Sequence, residues 1–99
     1  MFSTQPNCRI HLAVTIAVVA LGLLVGLGPS EWALLFVAIA AVWIAEAFNT
    51  ALEFLADAAC PGTNPLVGKA KDVAAGAVIF ATIGAVAIGA FVFFPVLLR

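Results

Sequence analysis

Four polar side chains interrupt an apolar stretch at Glu46, Asn49, Glu53 and Asp57. A helix turns about 100° per residue, so these four share an arc of about 80° on one face. Residues 32–45, immediately before them, are all apolar. Ionisable groups are costly at membrane depth and mark functional paths there. Three carboxylates and an amide on one face at a membrane edge suit a metal ion, a proton acceptor, or both. Glu46 falls about 21 Å along the helix from Trp32, just inside the hydrocarbon boundary, where a carboxylate suits general-base work. Glu53 reaches headgroup depth and suits Mg²⁺, which takes one or two protein carboxylates plus phosphate oxygens. Asn49 stands between them and both donates and accepts. Lys71-Asp72 adds a phosphate-seeking cation and another acid. Asp57 reads as a solvated residue near a helix end, Lys69 as an interfacial snorkelling side chain, and His11, beside Arg9, as interfacial rather than catalytic.

The elements that must hold these groups are helices in a bilayer. Of 99 residues, 66% are hydrophobic and 9% charged, with a mean hydropathy of +1.26. A soluble domain of this size has too little interior to hide that surface. The apolar runs cover residues 12–27, 32–56 and 73–98, each close to the length that crosses about 30 Å of hydrocarbon. The fold class is therefore an all-α membrane protein with three transmembrane helices, at about residues 10–27, 31–58 and 67–94, in a single domain over 1–99. Gly28-Pro29 ends the first helix, and Ser30 caps the second, with Glu31 and Trp32 just inside. The 60–65 segment Cys-Pro-Gly-Thr-Asn-Pro is a breaker cluster, and the third helix stops before Pro95.

Several function classes fall away. A net charge of −1 without a basic patch excludes nucleic acid as a partner. Cys8 and Cys60 lie on the side with most of the Lys and Arg, the reducing side, so no disulfide is expected; with one histidine they make no zinc site. Arg9 and Gly26-Leu27-Gly28 resemble signal-peptide features, but the apolar stretch is long and leads straight into another span, so it is read as retained. Arg9, Lys69 and Lys71 against Arg99 put the N-terminus and second loop in the cytoplasm. Gly22 with Gly26, and the row Ala77, Ala81, Ala85, Gly89, permit close helix packing and assembly.

Two linked motifs then become familiar. Glu46-Ala-Phe-Asn49-Thr-Ala-Leu-Glu53, with Asp57, is followed by Lys71-Asp72-Val-Ala-Ala-Gly-Ala-Val78. Together they resemble the prokaryotic diacylglycerol kinase/undecaprenol kinase family over about residues 5–98. The second motif, Glu31-Trp32 and the Phe93-Phe94-Pro95 ending look more like the undecaprenol kinase branch. The resemblance implies a homotrimer of three-helix subunits in the bacterial cytoplasmic membrane, with composite sites that move the γ-phosphoryl of MgATP to a lipid hydroxyl. By position it makes Glu46 the catalytic base and Glu53 a Mg²⁺ carboxylate. Asn49, Gly62, Thr63, Asn64, Lys71 and Asp72 fall on the nucleotide and phosphate site. Asn7, Arg9, His11 and Ala75, with Glu46, fall on the lipid substrate.

The chain departs from that pattern near its beginning. Gln5 stands where the family has its second metal-binding glutamate, and Asn64-Pro65 replaces a frequent His-Pro. Four residues precede the matching region, so the amphipathic surface helix of the family is expected to be lacking. The leading function is a lipid kinase, on undecaprenol first and diacylglycerol second. The alternative is a truncated or divergent member that assembles and binds lipid without phosphoryl transfer. An ion or proton carrier would use the acidic face but leaves Lys71-Asp72 unexplained.

Overall fold

The computed structural model describes residues 6–98, with side chains described from Arg9 to Leu98. Three helices follow one another: α1 (Pro6–Val25), α2 (Pro29–Ala59) and α3 (Pro65–Leu97). They form an elongated body of 55 × 24 × 17 Å. α2 and α3 pack along one another as the main pair, and α1 rests more loosely on both.

The helix ends follow local chemistry. Gly26 takes φ +74, a conformation that costs glycine little. The N–H groups of Gly26 and Leu27 then both reach the Gly22 carbonyl, at 3.1 and 3.3 Å, and close α1. The next helix begins two residues earlier than Ser30 capping would place it. Gly28 is the N-cap and Pro29 the first helical residue. Pro29 has no N–H to leave unpaired, and its fixed φ suits a first turn. Glu31 folds back so that its carboxylate accepts from the Gly28 N–H at 2.8 Å, and its charge complements the helix N-terminus.

α3 opens in the same style. The Asn64 side-chain oxygen accepts from the N–H groups of Leu66 and Val67, at 2.9 and 3.3 Å, ahead of Pro65 at the first position. At the far end, α3 runs through Pro95 to Leu97 instead of stopping at Phe94. A proline so near the C-terminus removes a single backbone bond, to the Phe91 carbonyl, and no further turns depend on it.

Two helices, α2 and α3, are long and apolar enough to cross a membrane. Only 6% of the α3 apolar window is buried within the chain, which does not fit the core helix of a soluble protein. The apolar section of α1, Arg9–Val25, is shorter, at the lower edge of spanning length. The buried core is small. Leu27, Leu35 and Val92 gather where the α1–α2 turn meets the C-terminal part of α3, with Trp32, Ile88 and Phe93 packed on them. Large side chains such as Leu24, Phe80 and Phe91 face outward, each about 80% exposed, as expected of a lipid-facing or subunit-facing surface.

Gly22 and Gly26 do not form one packing stripe, because Gly26 ends the helix. Gly22 alone serves the contact: a Cβ there would meet Trp32 Cη2 at 2.8 Å and Leu27 Cδ1 at 3.0 Å. On α3, Ala81, Ala85 and Gly89 are half-buried while Ala77 is exposed. Ala85 and Gly89 line a groove rather than a helix contact alone.

Candidate functional site: a buried glutamate beside an apolar groove

Along α2 the polar face grades from buried to open. Glu46 is buried, Asn49 and Glu53 are half-buried, and Asp57 is exposed. Burial of Glu46 comes from α1 crossing it. His11 and Thr15 lie one turn apart on α1, and Trp43 and Glu46 nearly one turn apart on α2, so each pair shares a helix face. The antiparallel crossing sets the pairs opposite one another. His11 Nε2 lies 3.6 Å from Glu46 Oε1. Trp43 Nε1 donates to the Thr15 hydroxyl at 3.0 Å, and Thr15 donates in turn to the His11 carbonyl at 2.7 Å. The His11 ring meets the Trp43 ring edge-on, 6.3 Å between centroids. A desolvated carboxylate needs such partners, since an unpaired buried charge is strongly unfavourable.

From this polar cluster a groove of about 220 Å³ runs between the three helices. His11, Thr15 and Trp43 line one end, and Leu35, Val86 and Phe93 are among its apolar walls. An elongated apolar slot with a few polar groups at one end is the shape that holds a lipid tail and orients a single polar group.

A second cluster lies toward the 60–64 loop. Asn49 Oδ1 is buried without a hydrogen-bond partner among the described residues, an arrangement that costs about 1–3 kcal/mol unless a donor or cation reaches it. Glu53 follows one turn later. Lys71 Nζ bonds Asp57 Oδ1 at 2.8 Å, joining the end of α2 to the start of α3. Gly62 and Thr63 are exposed on the loop, and Asp72, Ala75 and Arg9 are exposed on their helices. Gln5 and the Asn7 side chain lie outside the described residues. No three His, Cys, Asp or Glu side chains converge among the described residues.

The structure thus joins His11 with Glu46, and Lys71 with Asp57, which the sequence reading kept apart. His11 sits against Glu46, and Asp57, exposed as expected near a helix end, also pairs with Lys71. Asn64 has a structural task at the start of α3 beside any contact with a ligand. Thr50, buried one turn after Glu46, and the Thr15–Trp43 bridge were missed. The i+4 spacing of Thr50 from Glu46 was a usable signal; nothing in the sequence pairs residues 15 and 43.

Three helices, two of them apolar enough to span a membrane, with a buried carboxylate set against His11 on the groove wall, define a helical membrane protein. The family is settled by comparison: the sequence model for prokaryotic diacylglycerol kinase matches residues 1–93, and the chain belongs to that family. It is 40% identical over 93 residues to the undecaprenol kinase of Bacillus subtilis (strain 168), covering 93% of this chain and 75% of that one. It is also 40% identical over 98 residues to a diacylglycerol kinase of Synechocystis sp. (strain PCC 6803), covering 98% of this chain and 56% of the relative's length. No solved structure matches at the same level of significance.

Proposed function

We propose that this protein transfers the γ-phosphoryl group of MgATP to the hydroxyl of a membrane lipid, with undecaprenol the preferred acceptor over diacylglycerol. The observation that carries the reading is Glu46, buried against His11, which lines the polar end of the groove. A lipid tail in the groove would bring its hydroxyl to the polar end, where Glu46 accepts the proton. One groove with one polar end suits a lipid with a single chain and a single hydroxyl. The undecaprenol kinase relative, of which the chain covers the larger share, supports the same choice.

Phosphoryl transfer asks mainly for positioning and charge neutralisation. Lys71 suits the phosphates, and its exposed pairing with Asp57 is the weak kind that an incoming polyanion displaces. Asn49 and Glu53 fit a nucleotide-bound Mg²⁺: a carboxylate, an unpartnered buried amide oxygen, and the remaining ligands from phosphate. Gln5 would offer an amide oxygen where the family pattern has a carboxylate. When bound, the ion would neutralise charge on the phosphate oxygens. Gly62, Thr63, Asn64 and Asp72 surround the same end of the α2–α3 hairpin and would meet the nucleotide, while Asn7, Arg9 and Ala75 would meet the lipid.

The same reading puts the N-terminus and the 60–64 loop on the cytoplasmic side, where nucleotides are, in agreement with Arg9, Lys69 and Lys71. It makes the working form a homotrimer, supported by the outward apolar faces of all three helices. The test is incubation of the purified protein with labelled MgATP and vesicles holding undecaprenol or diacylglycerol. Labelled undecaprenyl phosphate is expected. Assembly with lipid binding but no labelled product on either lipid would point to the non-catalytic alternative.

A further inference from the structure

A buried base must lose its proton before each new turnover. The Glu46 side chain is only 9% exposed, whereas His11, 3.6 Å away, is 24% exposed and lines the groove. We propose that His11 is the outlet for the proton that Glu46 takes from the lipid hydroxyl, a positioning residue that acts through Glu46. This rests on the kinase reading above.

The step balances. The hydroxyl oxygen forms a bond to the γ-phosphorus as the bond from that phosphorus to the bridging oxygen breaks, and ADP leaves with the electron pair. The hydroxyl proton passes to a Glu46 carboxylate oxygen, then to His11 Nε2, and the imidazolium releases a proton from Nδ1 to water. Glu46 returns as carboxylate and His11 as the neutral Nε2–H tautomer, which exchanges protons with water to free Nε2 again before the next turnover.

The surroundings fit this task. Thr15 holds the His11 carbonyl and Trp43 holds Thr15, while the Trp43 ring edge limits how the imidazole can turn. α2 presents Glu46 to the ring. α3 contributes Thr82, Ala85 and Gly89 to the groove wall, with no titratable group. Arg9, on the same helix as His11, is exposed. The Thr82 hydroxyl donates to the Val78 carbonyl at 2.8 Å and so offers no competing outlet.

The experiment compares His11→Gln and His11→Ala with wild type in full-length protein, reading kcat and both KM values, with Glu46→Gln alongside. The expected result is a kcat lower by roughly 10- to 100-fold with KM for MgATP unchanged. Added imidazole should restore rate to His11→Ala. Failure of added imidazole to raise the His11→Ala rate overturns the proposal. So does His11→Gln with wild-type kcat, or with only a raised KM for lipid. If Glu46→Gln still transfers phosphate, the base assignment itself fails, a result distinct from failure of the outlet.

Discussion

Trp43 Nε1 and the Thr15 hydroxyl meet at 3.0 Å across 28 residues of sequence, and that bridge fastens α1 to α2 beside Glu46. Between helices in lipid, such polar bridges contribute about 0.6–2 kcal/mol. Trp43→Phe keeps the ring edge on His11 and removes the donor. Thermal unfolding in detergent should fall for Trp43→Phe and for Thr15→Val, and the double variant should fall by less than the sum. Strict additivity would mean that the two side chains are not coupled.

At Gly22, α1 leaves little room for a Cβ beside the start of α2. A Cβ at 2.8 Å from Trp32 Cη2 and 3.0 Å from Leu27 Cδ1 forces two large side chains to move. Gly22→Ala should destabilise the protein by about 1–3 kcal/mol, the usual cost of overpacking. Trp32→Leu in the same chain should recover part of the loss, measured as the midpoint of thermal unfolding.

Asn64 closes the first turn of α3 with two backbone bonds. Asn64→Ala leaves those N–H groups without their acceptor and should cost about 1 kcal/mol, while Asn64→Ser should retain most of the stability. Equal stability for the alanine and serine variants would show that the cap contributes nothing.

Lys71 is shared between Asp57 and the incoming phosphates. Lys71→Met should raise KM for MgATP, and Asp57→Asn, which frees the ammonium, should lower it or leave it unchanged. Steady-state kinetics at fixed lipid decides. A raised KM in Asp57→Asn would make the carboxylate a ligand of the nucleotide site rather than a resting partner of Lys71.

Much of this site follows from helical periodicity. The shared face of Glu46, Asn49, Glu53 and Asp57 needs only about 100° per residue, while the graded exposure of those four depends on how the neighbouring helices pack against α2. The three helices follow from composition and from Gly, Pro and Asn at the breaks. What could not be read is register between helices. His11 meets Glu46 only because α1 ends at Gly26 with φ +74 and α2 starts at Pro29. A shift of one turn at that connection would bring a different residue to the carboxylate. Asn64 shows the same limit at shorter range, since an asparagine before a proline reads equally as a cap or as a ligand contact.

The central claim is that Glu46 accepts the proton of a lipid hydroxyl during phosphoryl transfer. Its most direct test is single-turnover transfer of labelled γ-phosphate from MgATP to undecaprenol, comparing wild type with Glu46→Gln and Glu46→Asp. The account predicts labelled lipid from wild type, a loss of roughly 100-fold or more in Glu46→Gln, and an intermediate rate in Glu46→Asp, with MgATP binding intact in all three. Transfer at the wild-type rate by Glu46→Gln would contradict it.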